Sequence, residues 1–268
     1  MRRQRRADDG PLRAERDPTD RVRRHRRGGP GPRMNAPAER RAKLLQVAAG
    51  AAFLALAVLV VLIVVNASGG GDGGDTNLEG ADEINRSLQG IPQQEMLLGD
   101  PSAPVELVEF GDLQCPYCAA YAEEILPPII ENQVKNGQVK IDFRNFTIIG
   151  PESTDAAAAA LAAGAQGRGW NFVELFYRNQ GGENTGYAAD ESFLEAVADA
   201  AGVKDLGRWN EDRADLVAEV EKIKAEAQRL GLEGTPTFAV RGPKTDRLEV
   251  IDTPGSTSAL EEAIEGAN

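Results

Sequence analysis

Hydrophobic and polar positions divide this chain into four stretches with different patterns. Apolar residues have no regular spacing in residues 1–43 and 66–92, and they form one unbroken run in residues 44–65. In residues 93–268, short apolar runs alternate with longer segments in which apolar residues recur every three to four positions. This alternation predicts one α/β domain, and roughly 180 residues are enough to bury a full core.

Five short apolar segments of this domain have the composition of strands. They lie at residues 95–98, 105–110, 139–148, 237–241 and 247–251. The second of them is apolar on both faces, which predicts a strand that runs through the core. A final helix is predicted at residues 256–265.

Between the third and fourth strands, the pattern is helical from residue 153 to about residue 231. Glycines divide this block at residues 167–169, 180–182 and 202. Asp190 is the expected N-cap of the third helix, Gly202 follows its end, and Gly231 closes the last helix. Apolar residues on one face of each helix are expected to pack in the core: Phe193, Leu194, Val197 and Ala201 in the third, and Leu216, Val220, Ile223, Ala227 and Leu230 in the last.

The unbroken apolar run predicts a membrane span. Residues 44–65 are 22 residues without a charge, with Gln46 as the single strongly polar side chain, which is about the length of a transmembrane helix. Residues 1–43 contain 14 Arg and one Lys against six acids, a net charge of +9. We predict that this tail is disordered and cytoplasmic, because positive charge stays on the cytoplasmic side of a membrane.

Two alternatives concern the same N-terminal part. Val65-Asn66-Ala67 fits a signal-peptide cleavage site, but the apolar run is longer than a usual signal core and the basic region before it is unusually long. We therefore favour an uncleaved anchor, with everything after Asn66 outside the cell. A nucleic-acid-binding role for the basic tail is the second alternative, and anchoring explains the same charge more simply.

The charge reverses beyond the predicted span. Ser68 to Asp75 are rich in Gly and Asp, and residues 66–92 have low hydrophobicity, which predicts a flexible acidic linker over residues 66–92. Residues 66–268 carry 15 basic and 36 acidic side chains, a net charge of −21. This charge disfavours nucleic acid and anionic lipid as ligands and favours a protein partner.

The candidate chemistry lies in Cys115-Pro116-Tyr117-Cys118, which contains the only two cysteines of the chain. Two cysteines placed at random would fall three apart on the order of 1% of the time. The segment after Cys115 is helical in pattern, so its thiol would lie at a helix start, where free backbone N–H groups and the helix dipole stabilise a thiolate. Cys115 is the predicted nucleophile, and Cys118, one turn inside the helix, is the predicted resolving cysteine.

Three other roles fit this cysteine pair less well. A structural zinc site needs four Cys or His ligands, and the only histidine, His25, lies on the other side of the predicted span. A structural disulfide across so short a loop would remove little entropy from the unfolded chain. Copper transfer usually brings extra soft ligands, but the chain has only three Met, at positions 1, 34 and 96. We expect no metal or cofactor.

The order of these features resembles the thioredoxin fold. A strand is followed by Cys-x-x-Cys at the start of a helix, and Gly234-Thr235-Pro236-Thr237-Phe238 marks a β-hairpin far downstream. The helical block between the two halves resembles that of DsbA-like enzymes, particularly their membrane-anchored bacterial members. The resemblance covers about residues 93–268 and implies an α/β thioredoxin fold with a helical insertion at about residues 153–231.

The resemblance also implies roles for three residues outside the cysteine motif. Pro236 falls at the position of the family's cis-proline, although the sequence alone also allows a proline at the start of a strand. Thr235 would pair through its backbone with the extended chain of a substrate. Glu109, six residues before Cys115, would be the buried acid that exchanges a proton with Cys118, and a surface carboxylate is the alternative.

Tyr117 departs from the strongly oxidising members of this family. Those enzymes have a His between the cysteines, where positive charge helps to hold the thiolate. Cys-Pro-Tyr-Cys is also the motif of glutaredoxins, whose reduction potentials lie about 80 to 110 mV below that of DsbA. Pro116 and Tyr117 are therefore expected to tune the pair, and the direction of electron flow stays open.

The function that the resemblance implies is a membrane-anchored thiol-disulfide oxidoreductase that introduces disulfides into exported proteins. Its expected partners are reduced or unfolded exported proteins and a membrane quinone-linked oxidase that reoxidises the cysteines. A disulfide reductase or isomerase of the same fold is the first alternative. An anchored peptide-binding or metal-delivery module without turnover is the second.

Overall fold

The structure is a computed structural model that describes residues 78–245, 247–251 and 253–268. The predicted cytoplasmic tail, the predicted span at residues 44–65 and the first part of the predicted linker lie outside the described residues. Among the helices that are described, none is both long and apolar enough to cross a membrane.

A six-stranded mixed sheet forms the centre of the described domain, with the spatial order β1-β2-β4-β3-β5-β6. Its strands are β1 Gln93–Gln94, β2 Leu97–Leu98, β3 Val105–Gly111, β4 Val139–Asn145, β5 Thr237–Arg241 and β6 Glu249–Ile251. β3 is parallel to β4 and antiparallel to β5, so it lies in the middle of the sheet. All of its residues are buried, which confirms the predicted core strand.

A helical block between β4 and β5 confirms the predicted insertion. The described helices are α1 Ala81–Ser87, α2 Pro116–Glu124, α3 Leu126–Ile129, α4 Glu152–Gly164, α5 Gly169–Arg178, α6 Glu191–Ala200, α7 Leu206–Arg229 and α8 Thr257–Ala267. Ile130–Val134 continues α3 as a π-helical turn, and Tyr187–Ala189 is a short 3-10 turn between α5 and α6. The insertion therefore contributes α4 to α7.

Two prolines end the helix that begins at the cysteine motif. Ile125 separates α2 from α3, and Pro127 and Pro128 lie in the first turn of α3. Proline has no N–H with which to continue the hydrogen bonds of α2, whereas the first turn of a helix needs none. The prolines therefore stop one helix and start the next.

The predicted ends of the last two helices of the insertion are confirmed. The side chain of Asp190 caps α6 by accepting a hydrogen bond from the N–H of Phe193 at 2.8 Å. Gly202 and Gly231 follow α6 and α7 with φ of +83° and +75°, a conformation that glycine adopts without strain. Leu230 is the exception in its predicted apolar stripe, because it lies at the C-cap of α7 and is exposed.

The predicted flexible linker is too long at its C-terminal end. The structure places Ala81–Ser87 in α1, with Ile84 and Leu88 buried in the core. The side-chain N–H of Asn85 donates to the carbonyl of Ala200 at 2.8 Å, and its side-chain oxygen accepts from the side-chain N–H of Asn171 at 2.7 Å. Ile84, Leu88 and the hydrogen bonds of Asn85 dock this short helix, so the folded domain begins before the predicted boundary at residue 93.

β4 ends earlier than the predicted strand at residues 139–148. Beyond Asn145, the N–H groups of Ile148 and Ile149 donate to the carboxylate of Asp112 at 2.8 Å and 2.9 Å instead of to a neighbouring strand. A buried carboxylate that accepts two backbone hydrogen bonds holds the chain away from the sheet. The apolar composition of Ile148 and Ile149 did not reveal this competing partner.

Side chains of β3 alternate between two buried clusters. Val105 and Leu107 belong to the larger cluster, which includes both cysteines. Val108 and Phe110 belong to a smaller cluster on the opposite face of the sheet. Because successive side chains of a strand point to opposite faces, Glu109 lies on the face of the cysteines.

Candidate active site

Cys115 is the N-cap of α2, at the end of the loop that leaves β3. Its backbone is extended, with φ −77° and ψ 117°, and Pro116 takes the first helical position. The N–H of Cys115 donates to the carbonyl of Asp112 at 2.9 Å. Both cysteines are free thiols, and their side chains have the predicted positions at the start of α2 and one turn inside it.

The environment of Cys115 favours its thiolate. The pKa of the thiol is lowered from 9.0 to about 6, and the largest cause is a hydrogen bond with the Cys118 side chain. Thr235 and the N–H groups of Cys118 and Tyr117 lower it further, whereas burial acts in the opposite direction. The N–H groups at the helix start thus lower the pKa of Cys115 as expected, but the neighbouring thiol of Cys118 lowers it most. As a thiol, Cys115 Sγ donates to the carbonyl oxygen of Thr235 at 3.3 Å.

Cys118 has the opposite character. Both cysteines are buried, Cys118 with 0% and Cys115 with 3% of its surface exposed, and the contrast lies in their pKa values. Burial raises the pKa of the Cys118 thiol well above 9.0, and the hydrogen bond with Cys115 raises it further. The pair therefore combines one thiolate with one thiol that keeps its proton.

Glu109 lies inside the sheet, 1% exposed, between Phe143 of β4 and Phe238 of β5 in the strand register. Its Oε1 atom is buried and has no hydrogen-bond partner in the described part of the chain. Burial is the first cause that raises its pKa well above 4.5, followed by the charges of Glu174 and Cys115. The predicted buried acid is therefore present on the same face of the sheet as the cysteines.

The peptide bond between Thr235 and Pro236 is cis, and it lies beside Cys115. An open groove of about 670 Å³ runs from Tyr117 past Thr235 and Pro236 to Val250. Tyr117 is 72% exposed and Val250 is also exposed, so the groove presents apolar surface next to the thiolate. The structure thus brings Cys115, Cys118, Thr235 and Pro236 together, with Glu109 below them.

Two polar residues that the sequence analysis missed hold the loop before α2. Asp112 accepts from the N–H of Gln114 at 2.9 Å, in addition to its two bonds with the strand-end loop. The side-chain amide of Gln180 donates to the carbonyl groups of Leu113 at 2.8 Å and Cys115 at 3.1 Å. Gln180 lies in a glycine-rich break 65 residues from Cys115, so no local pattern could have identified it.

Two further missed residues come from α5. The hydroxyl of Tyr177 donates to the carbonyl of Asp112 at 3.3 Å, and burial raises its pKa well above 10.0. Burial also raises the pKa of Glu174 to about 8. In the described residues, no group of three or more His, Cys, Asp or Glu side chains could hold a metal ion.

The rate at which iodoacetamide modifies the reduced chain should report the thiolate of Cys115. We expect the rate to fall as the pH falls through about 6, because protonation removes the nucleophile, whereas the unfolded chain should lose reactivity through about 9.0. Cys118 should stay unmodified in the folded chain. A folded midpoint near that of the unfolded chain would contradict a stabilised thiolate.

Comparisons with known proteins identify the family of this chain. A family model described as thioredoxin matches residues 92–265. Probable disulfide bond formation protein D of Bacillus cereus is 32% identical over 149 residues, which are 54% of this chain and 69% of that relative. The range matched by the family model includes most of the described residues.

Two solved structures have a similar fold. Oxidised BdbD from Bacillus subtilis has a TM-score of 0.57 and 26% identity, over 66% of this chain and 97% of that one. Alpha-DsbA1 from Wolbachia pipientis has a TM-score of 0.56 and 21% identity, over 64% of this chain and 89% of that one. The second likeness concerns the fold alone.

Proposed function

Because the chain belongs to the thioredoxin family and is a DsbA-like thiol-disulfide oxidoreductase, we propose that it introduces disulfides into exported proteins through Cys115 and Cys118. One observation carries the proposal: Cys115 lies at the start of α2, beside the buried thiol of Cys118 and 3.3 Å from the carbonyl of Thr235 at the cis peptide bond, where its surroundings lower its pKa to about 6. Such a pair can alternate between a dithiol and a disulfide. Pro116 fixes the start of the helix between the two sulfurs.

Each oxidation moves two electrons from the substrate to the enzyme. A substrate thiolate attacks Cys115 of the oxidised pair, and the bond between Cys115 and Cys118 breaks as a mixed disulfide forms. The electron pair of that bond stays on Cys118, which takes a proton. A second substrate thiolate then attacks the first substrate sulfur, so the substrate leaves as a disulfide and Cys115 leaves as a thiolate.

The charge state of Cys115 supports the oxidising direction. A thiolate that is stabilised in the reduced enzyme makes the corresponding disulfide a stronger oxidant. A pKa of about 6 is below the value of about 7 for thioredoxin and above the value of about 3.5 for DsbA. The uncharged Tyr117 between the cysteines is consistent with this intermediate position.

The groove beside the cis peptide bond is the proposed substrate site. A substrate in an extended conformation would place its backbone against that of Thr235, as strands do when they join a sheet edge. The exposed side chains of Tyr117 and Val250 offer apolar contacts to substrates of different shapes. Unfolded proteins expose both extended backbone and apolar side chains, so we propose reduced, unfolded exported proteins as substrates.

Glu109 is the proposed proton donor and acceptor for Cys118. In the reduced enzyme, the charge of Cys115 helps to keep Glu109 protonated. In the mixed disulfide Cys115 has no charge, so this contribution is absent and Glu109 ionises more readily. Glu109 can then accept the proton of Cys118 when Cys118 attacks, or return it when Cys118 is released.

The proposed location is the outer face of the cell membrane, with residues 44–65 as a single span and the N-terminus in the cytoplasm. Protease added to intact cells should release the domain. A chain found free in the medium, with an N-terminus near Ser68, would contradict the anchor.

We propose reoxidation by a membrane quinone-linked oxidase, which predicts that the reduced chain accumulates in quinone-depleted cells.

Turnover with an unfolded test protein checks the proposed direction. With oxidised glutathione as the electron acceptor, the full-length chain should accelerate disulfide formation in a reduced, unfolded protein more than it accelerates insulin reduction by reduced glutathione. The chain with both Cys115 and Cys118 replaced by alanine is the matched control. Faster insulin reduction would favour a reductase, and no catalysis of either reaction would favour a binding module.

A further inference from the structure

The loop that carries Cys115 is bound by a side chain from the helical insertion. Gln180 follows the C-cap of α5, and its side-chain nitrogen lies 2.8 Å from the carbonyl oxygen of Leu113 and 3.1 Å from that of Cys115. Both partners are carbonyl oxygens, which only accept, so the two N–H groups of the Gln180 amide donate one hydrogen bond to each. The amide therefore bonds to the loop on both sides of Gln114.

The peptide group between Cys115 and Pro116 can form hydrogen bonds only through its carbonyl, because Pro116 has no N–H. This carbonyl accepts from the N–H of Ala119 at 3.2 Å, at the start of α2, and from Gln180. The orientation of the peptide group determines the ψ angle of Cys115, which is 117°. It therefore determines how the N–H groups in the first turn of α2 lie relative to the sulfur of Cys115.

Packing on both sides restricts the position of this amide. Gly181 lies so close to the ring of Tyr187 that a Cβ atom at position 181 would be 2.8 Å from it, which fixes the backbone next to Gln180. Gln114, between the two bonded carbonyls, is 0% exposed, and its side chain donates to the hydroxyl of Ser153 in α4 at 2.9 Å. The donor and its two acceptors are thus each held by other contacts.

The insertion does not depend on Gln180 for its attachment to the rest of the domain. The indole N–H of Trp170 donates to the carbonyl of Met96 at 2.7 Å, and the side-chain oxygen of Asn171 accepts from the side-chain N–H of Gln93 at 2.7 Å. Both of these bonds join α5 to the strand region before β3. Removing the amide of Gln180 should therefore leave the domain folded.

We propose that Gln180 is a positioning residue for the nucleophile, because its two hydrogen bonds hold the start of α2 in the orientation that stabilises the thiolate of Cys115. The proposal rests on the proposed function of Cys115 as the reacting thiolate. Gln180 bonds to carbonyl groups and acts on the sulfur through the backbone of Cys115. By stabilising the thiolate in the reduced enzyme, Gln180 makes the disulfide a stronger oxidant.

Alkylation by iodoacetamide as a function of pH tests this role in the full-length chain in detergent. The variants are Gln180→Met, which keeps the length of the side chain without its donors, and Gln180→Glu, which has no donor when ionised. Gln166→Met is the matched control. Gln166 also lies in the insertion, and its amide also makes two hydrogen bonds with a distant backbone, to the carbonyl of Asp205 at 2.9 Å and from its N–H at 3.0 Å.

We expect Gln180→Met to raise the midpoint of Cys115 alkylation by about one pH unit, which is about the effect of one hydrogen bond. Equilibration with reduced and oxidised glutathione should show a pair that is about fivefold less oxidising near neutral pH, because the reduced form loses part of its stabilisation. Gln180→Glu should raise the midpoint further, since its carboxylate adds a negative charge. Gln166→Met should keep the wild-type midpoint and equilibrium constant.

Different results overturn this proposal and the proposed function. A Gln180→Met chain with the wild-type midpoint and equilibrium constant would overturn the positioning role, whereas oxidative turnover by the wild type would still support the proposed function. Equal changes in Gln166→Met and Gln180→Met would also overturn the positioning role, because the cause would then be a weakened insertion. If Gln180→Met does not fold, Gln180→Glu decides: a midpoint no higher than that of the wild type overturns the proposal.

Discussion

Replacing Cys118 with alanine should trap the chain in covalent complexes with other proteins. Cys115 of this variant still attacks disulfides, but no second sulfur is present to resolve the mixed disulfide. Cys115→Ala should form few complexes, because Cys118 is fully buried and its pKa is raised well above 9.0. Both variants should lose turnover down to the uncatalysed background.

Non-reducing gels of cells that carry each variant measure this difference. The complexes of Cys118→Ala should disappear when reductant is added, and the double variant Cys115→Ala with Cys118→Ala should show none. More complexes in Cys115→Ala than in Cys118→Ala would mean that the nucleophile and the resolving cysteine are exchanged. Equal trapping in both would mean that burial does not separate their roles.

Replacing Glu109 with glutamine should make the enzyme slower and more stable at the same time. The amide keeps the shape of the carboxyl group but takes no proton, so the attack of Cys118 should slow by roughly 10²-fold. Burial raises the pKa of Glu109 in the folded chain, so the folded state holds a proton that the unfolded state releases above about 4.5. The free energy of unfolding of the wild type should therefore fall as the pH rises from about 4.5 towards the raised pKa.

Glu109→Gln should lack that loss of stability, and chemical denaturation at several pH values measures it. Glu106→Gln is a useful control, because Glu106 lies on the same strand but faces the other side of the sheet, where it pairs with Arg241. This control should lose stability without a change in the rate of resolution. A Glu109→Gln variant with wild-type rates across the pH range would remove Glu109 from the mechanism.

Local features of the sequence predicted a large part of the fold. The hydrogen bond that caps α6 joins Asp190 to a residue three positions away. Gly202 and Gly231 adopt positive φ directly after their helices. β5 has the bounds that its apolar pattern predicted. Each of these features depends on residues within a few positions, so a short window of sequence contains the information.

The errors arose where a distant residue competed with a local pattern. The apolar residues after Asn145 suggested a longer strand, but the carboxylate of Asp112 takes their N–H groups. The polar composition before residue 93 suggested a linker, but Asn85 binds residues of α5 and of the end of α6. Hydrogen bonds between residues tens of positions apart leave no periodic signal in the sequence.

The sequence by itself was enough to propose the reacting residues, because a cysteine at a helix start, a second cysteine one turn later and an acid in an apolar strand are local arrangements. Only the tertiary structure decided what surrounds them. It places the carbonyl of Thr235 3.3 Å from a sulfur 120 residues earlier, and it buries Glu109 between Phe143 of β4 and Phe238 of β5. The pKa values of these groups depend on burial and on charges from other elements, and packing alone fixes both.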